Sequence, residues 1–132
     1  MLRIPPGFDT RKCRWFKESQ LKKVIVPRSI TVLGNNMFDN CAQLSEVIFE
    51  PGSCLEQIGN YCFAHCKLHE IVIPKKVKSI GDGAFFWCHW LFSLCFEEGS
   101  RLKEVGAHAF SGTQLRQDNV VYPKTLRKKG HG

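Results

Sequence analysis

The sequence has no run of about 20 apolar residues, the length a bilayer-spanning helix requires. Its longest nearly apolar stretch, AFFWCHWLFSLCF at 84–96, falls short of that. The opening MLRIPPGFDTRKC has no apolar run behind its first charges, so it does not read as a secretory signal peptide. No Asn-x-Ser/Thr glycosylation site occurs. These absences make a cytoplasmic location the default expectation. Neither a phosphate-cradling P-loop nor a G-x-S-x-G nucleophile elbow is present. Cys13, Cys54 and Cys95 lack the neighbours that would make one of them a nucleophile. The sequence therefore predicts no enzyme, no catalytic residue and no cofactor. Acidic residues are scarce: 12 Asp and Glu against 19 Lys and Arg leave a net charge of +7. That balance admits an acidic partner, such as nucleic acid, an anionic glycan or a membrane surface, without selecting one.

What is present fits one soluble domain: 132 residues, 43% hydrophobic and 23% charged. The seven cysteines are an odd number, and no short disulfide framework is evident, so reduced, mostly buried thiols are expected.

The chain repeats. Gly and Phe recur four apart as Gly34 and Phe38, Gly59 and Phe63, Gly81 and Phe85, Gly106 and Phe110. An upstream leucine recurs as Leu21, Leu44, Leu68, Leu91 and Leu115, in steps of 23, 24, 23 and 24. Four units result, 21–43, 44–67, 68–90 and 91–114. Each reads L-x-x-Φ-x-Φ, a turn, then Φ-x-x-Φ-G-x-x-(small)-F-x-x-C, where Φ is apolar. Units one and three turn on PRS and PKK, units two and four on the longer EPGSC and EEGSR. Residues 1–20 read as a degraded capping copy with Phe16 placed 22 before Phe38, and 115–132 as a truncated copy with a basic tail, Arg127 to Lys129. Polar ends suit a stacked array, whose outer faces meet water.

Each unit reads as one coil of a solenoid. L-x-x-Φ-x-Φ suits a short strand with alternate side chains inward. Pro or Gly ends the strand. The conserved-in-register Gly suits a tight bend, and Phe and Cys turn inward on a return arm about one helical turn long. One coil cannot close its own core, but four stacked coils can. Their strands would form a parallel sheet.

The fullest copy, LHEIVIPKKVKSIGDGAFFWC at Leu68 to Cys88, resembles the BspA-like leucine-rich repeats, and the resemblance covers about 21–115. It implies a leucine-rich-repeat solenoid of α/β class dominated by strands. It also implies a non-catalytic protein-binding role, often at a cell surface, in adhesion to host or microbial proteins.

The stretch YCFAHCKLHE, 61–70, gathers Cys62, His65, Cys66 and His69 as if for zinc. The repeat register disperses them. Cys62 takes the core place of Met37, Ala84 and Ala109, and Cys66 the inward place of Cys41, Cys88 and Thr113. His65 shares an outer place with Asn40, Trp87 and Gly112, while His69 opens a strand. No metal site is expected. The Cys41–Cys66–Cys88 row is read as a ladder of thiols, with a disulfide between neighbouring coils as the alternative.

Three surfaces remain as binding candidates. The outward strand positions Ile25, Ile48, Val72 and Cys95, continued by Val121, form an apolar stripe edged by Glu46 and Glu70. Such a stripe is either ordinary strand preference or a protein-docking face. In FFWCHWLF, 85–92, Phe86, Trp87, Trp90 and Phe92 stand where the first unit carries the polar Asp39, Asn40, Gln43 and Lys22. Exposed aromatics of this kind anchor interfaces, including self-association, and His65 adjoins them. Finally, Arg28, Lys75, Lys76, Lys78, Arg101, Lys103 and Lys124 fall at or after the strand-ending turns. Aligned, they make either a solvated edge or a ridge for an anionic polymer or glycan. Aromatics do not interleave with them, which argues against nucleic acid.

Overall fold

A computed structural model describes residues 1–7, 20–116 and 119–131. The segment holding Cys13 and Phe16 lies outside the described residues. The chain winds into parallel coils, and each of the four full coils carries two short strands. The first strands are β1 (Leu2–Arg3), β2 (Lys23–Val26), β4 (Glu46–Phe49), β6 (Glu70–Ile73) and β8 (Ser93–Phe96). The second are β3 (Val32–Leu33), β5 (Gln57–Ile58), β7 (Ser79–Ile80), β9 (Glu104–Val105) and β10 (Lys128–Lys129). All pair in parallel, with repeat positions in register: Ile25 faces Ile48, and Val72 faces Cys95. The strands of the second row form one continuous sheet, β10-β9-β7-β5-β3. Sequence patterning did not separate this second row as strand, because two residues carry no alternation.

Inward positions form one core. Val24, Val26, Ile71 and Ile73 close it on one side. Leu33, Leu55, Ile58, Val77, Ile80 and Leu102 close it on the other. Between them Phe38, Phe63, Phe85 and Phe110 stack ring on ring, each pair 5.4 Å apart and within 14° of parallel. Near-parallel rings at this distance are offset stacks, worth about 0.5–1.5 kcal/mol per pair beyond burial.

The return arm departs from the expected helical turn: among the described residues it contains no α-helix. It holds two left-handed corners per coil instead. One row is Asn36, Tyr61, Gly83 and His108, the other Asn40, His65, Trp87 and Gly112, with φ of 54–61° at the six that are not glycine. A side chain in that region costs roughly 1–2 kcal/mol. The arm recovers this through bonds to the next coil. Tyr61 N–H donates to Asp82 O, Phe63 N–H to Ala84 O and His65 N–H to Phe86 O, at 2.8–2.9 Å. Every second residue thus bonds forward, which an α-helix, bonding within itself, would forbid.

The repeating glycine also does something other than bend the chain. Gly59, Gly81 and Gly106 lie outside the positive-φ set. A Cβ on Gly81 would fall 2.6 Å from Asn60 N and 2.7 Å from Gly59 C of the preceding coil. Close approach of two backbones, not conformational freedom, requires glycine there. The next residue reinforces the contact: Asn35 Oδ1 accepts from Asn60 N–H, Asn60 Oδ1 from Asp82 N–H, and Asp82 Oδ1 from Ala107 N–H.

We expect Phe63→Ala, which removes a ring stacked on both faces, to cost about 3–5 kcal/mol in urea unfolding. Phe86→Ala, on the next coil and only partly buried, should cost less than about 1.5 kcal/mol. Equal losses would refute the central role of the stack.

Candidate functional site

The long strand row does not run unbroken. Its strands form two sheets, β1-β2-β4 and β6-β8, and the break falls between β4 and β6. Coil two bonds to coil one through Ser45 and Glu46 N–H to Lys22 O and Glu50 N–H to Val26 O. Coil four bonds to coil three in the same way, through Phe92 and Ser93 N–H to His69 O and Glu97 N–H to Ile73 O. Two sequence features account for the break between coils two and three. Pro74 stands where Glu50 and Glu97 stand, and proline has no N–H to donate. The link into β6 is also one residue shorter, Cys66-Lys67-Leu68 against Cys41-Ala42-Gln43-Leu44, and Lys67 N–H is spent on Leu44 O.

The coils consequently associate in pairs. Glu50 Oε1 accepts from Arg28 N–H, and Glu97 Oε1 from Lys75 N–H, both at 3.0 Å. Each longer coil thus caps the turn of the shorter coil before it. The Arg3 guanidinium, 2.9 Å from Glu50, and that Arg28 N–H hold the Glu50 carboxyl below the usual carboxylate range.

At the break, Val47 and Phe49, inward by pattern, are only partly buried. A hollow of ≈ 330 Å³ opens there between Val47 and Phe49 on one side and Ile71 and Val72 on the other. Its mouth carries Glu46, Glu50, Glu70 and Glu97. The predicted apolar stripe is present across this region, with Ile25 and Ile48 half-buried and Val72, Cys95 and Val121 exposed. The expected single sheet beneath it is replaced by two.

The aromatic oddity is on the surface: Trp87 is 44% exposed, Trp90 55% and Phe92 60%. Ring contacts join Tyr61, His65 and Trp87 to Phe86 at 5.8–6.2 Å, and His89 to Trp87 at 4.9 Å. His69 joins Trp90 and Phe92 into a second group. The left-handed corners explain the first group, since they turn Tyr61, His65 and Trp87 outward. His65 Nδ1 also lies 3.6 Å from Asp39 Oδ1, a nearly buried carboxylate that further accepts from Asn36 Nδ2. The sequence did not single out Asp39 or His89; their positions follow from repeat register alone.

The YCFAHCKLHE stretch separates as the register predicts. Cys62 and Cys66 are buried, while His65 and His69 are exposed. Among the described residues no three His, Cys, Asp or Glu side chains gather as a metal site. No disulfide joins Cys41, Cys66 and Cys88 to one another. Cys66 Sγ donates to Phe38 O (3.2 Å) and Cys88 Sγ to Phe63 O (3.0 Å), each in the coil before. Burial pushes the Cys66 thiol well up and the Cys88 thiol up to about 12.

The basic residues divide. Lys78, Lys103 and Arg127 stack in one row, linked by Lys103 N–H to Lys78 O and Arg127 N–H to Lys103 O. Lys78 pairs with Glu56 at 3.4 Å, and Glu104 adjoins Lys103. Arg28, Lys75, Lys76, Arg101 and Lys124 sit at the strand-ending turns, where Arg101 N–H bonds Lys75 O.

The BspA-type leucine-rich-repeat model matches residues 10–130 in six copies. The chain belongs to this family. Among solved structures, the pneumococcal vaccine antigen PcpA is 28% identical with a TM-score of 0.77, over 83% of this chain and 26% of that one. A T. pallidum leucine-rich-repeat protein superposes with a TM-score of 0.74 at 24% identity, over 97% of this chain and 67% of that one. A leucine-rich cell surface protein of Faecalibacterium prausnitzii superposes at 0.55 with 22% identity, over 98% and 43%. No curated protein matches the chain. The leucine-rich-repeat chain thus spans about a quarter of the antigen's length.

Thiolate is the reactive form of cysteine. Native protein treated with iodoacetamide at pH 8 should be alkylated at the half-exposed Cys54 and exposed Cys95 well before Cys41, Cys62, Cys66 and Cys88, by mass-spectrometric mapping. Early labelling of Cys66 or Cys88 would contradict the buried row.

Proposed function

We propose that this leucine-rich-repeat chain is a non-catalytic binding module that engages another protein. The observation that carries the reading is the set of exposed rings, Trp87, Trp90 and Phe92, beside the apolar strand stripe. Large rings held in water by a rigid scaffold are costly unless a partner covers them, and tryptophan is enriched among interface anchors. Their counterparts in coil one, Asn40, Gln43 and Lys22, are polar, so the repeat does not demand them. Similarity to a vaccine antigen and a cell surface protein supports display at a cell surface. The partner is a host or microbial protein, or a second copy of the chain. Trp87→Ser with Trp90→Ser should reduce partner capture at least about tenfold, or abolish self-association in sizing chromatography, with the circular dichroism spectrum unchanged. Unchanged capture and unchanged oligomeric state would remove the aromatic site.

The stacked row Lys78, Lys103 and Arg127 favours a second reading, attachment to an anionic polymer or glycan. Retention on heparin should then fall steeply with salt, and Lys103→Gln with Arg127→Gln should flatten that slope. Retention that does not change with salt would exclude it.

A further inference from the structure

The slot between β4 and β6 has a counterpart two coils further on. There Phe96 on one side and Tyr122 and Pro123 on the other bound a hollow of ≈ 320 Å³. The same two features recur: Pro123 takes the place of Pro74, and Gln114 N–H is spent on Leu91 O as Lys67 N–H is on Leu44 O. Each floor is a partly buried phenylalanine, Phe49 or Phe96, at one register position. In coils one and three that position carries Val26 and Ile73, which are fully buried. The coils that open are the coils that carry an aromatic ring there.

Both mouths are acidic on a chain of net charge +7. Glu46, Glu50, Glu70 and Glu97 surround the first, and Glu97 and Glu98 lie at the second with Lys124. Glu46 and Glu50 are partly neutralised by Lys23 and Arg3, whereas Glu70 and Glu98 are exposed. An apolar floor under an acidic mouth complements an apolar side chain carried between cationic ones. Positions two coils apart are separated by about 10 Å, twice the usual strand spacing. A polyproline-II segment presents the same face every three residues, about 9.3 Å. A β-strand does not match, since its residues three apart point to opposite sides.

We propose that the two slots receive one cationic, polyproline-II-like segment of a partner protein, whose apolar side chains three residues apart enter one slot each. This rests on the protein-binding reading and specifies the chemistry of the partner.

The probe is a fluorescein-labelled peptide of four Lys-Leu-Pro triplets, followed by fluorescence polarisation on the full chain. Binding should weaken about tenfold with Lys-Gly-Pro triplets, and about fivefold or more for the Glu70→Lys, Glu98→Lys variant, whose altered side chains are exposed. Ring signals of Phe49 and Phe96 should shift in NMR spectra, and the Trp87→Ser, Trp90→Ser variant should bind the peptide as the parent does. No binding, equal binding of the glycine peptide, an indifferent charge-reversed variant, or shifts confined to other residues would each overturn the slots. Partner capture that persists through such a result leaves the protein-binding reading standing; loss of both removes both.

Discussion

Successive coils approach so closely along the second strand row that no side-chain carbon fits between them at the glycine position. A Cβ on Gly106 would stand 2.4 Å from Asp82 N. Much else in the molecule depends on that contact. It fixes the coil spacing, which places one phenylalanine ring on the next at 5.4 Å. It brings the return arms within hydrogen-bonding reach, so that a chain of corners satisfies backbone groups that a helix would satisfy internally. The Asn35, Asn60 and Asp82 side chains bond across the same contact and hold its register.

With one side of the solenoid fixed in this way, the other side is free to vary. The two-residue strands run through all five coils, whereas the four-residue strands part after the second coil. The opening costs the buried hydrogen bonds of one strand pair and the full enclosure of Phe49, and the continuous sheet and phenylalanine stack carry the fold across it. The rigid back and the interruptible front are therefore a division of labour: stability is concentrated where the sequence varies least from coil to coil, and the front has room for the residues that differ.

The coil, its register and its core were legible in the sequence because each rests on a strong periodic signal. Leu44, Phe63, Cys66 and Ile73 recur in kind every 22–25 residues, and all are buried. The outward placement of Trp87 and Trp90 was legible for the same reason, through their polar counterparts. Three features were not. The second strand row is too short to alternate. At two of the left-handed corners stand Tyr61 and Trp87, residues with no preference for that backbone, so there the inter-coil bonds set the conformation and the side chain reveals nothing of it. The split between β4 and β6 was written in Pro74 and the shorter link after Cys66. Read as a turn signal, that proline conceals its other effect, the loss of one N–H from a strand edge.

The pairing of a short coil with a long one gives this solenoid a structural period of 47 residues, the distance from Leu21 to Leu68 and again from Leu68 to Leu115. Each glutamate cap joins a long coil to the short coil before it, and each opening follows a long coil. Gain or loss of a single coil would set two like coils together and strand a cap without its turn. Gain or loss of two would preserve every junction. The heritable module of this array, the segment that gene duplication can copy without repairing its neighbours, is therefore the coil pair.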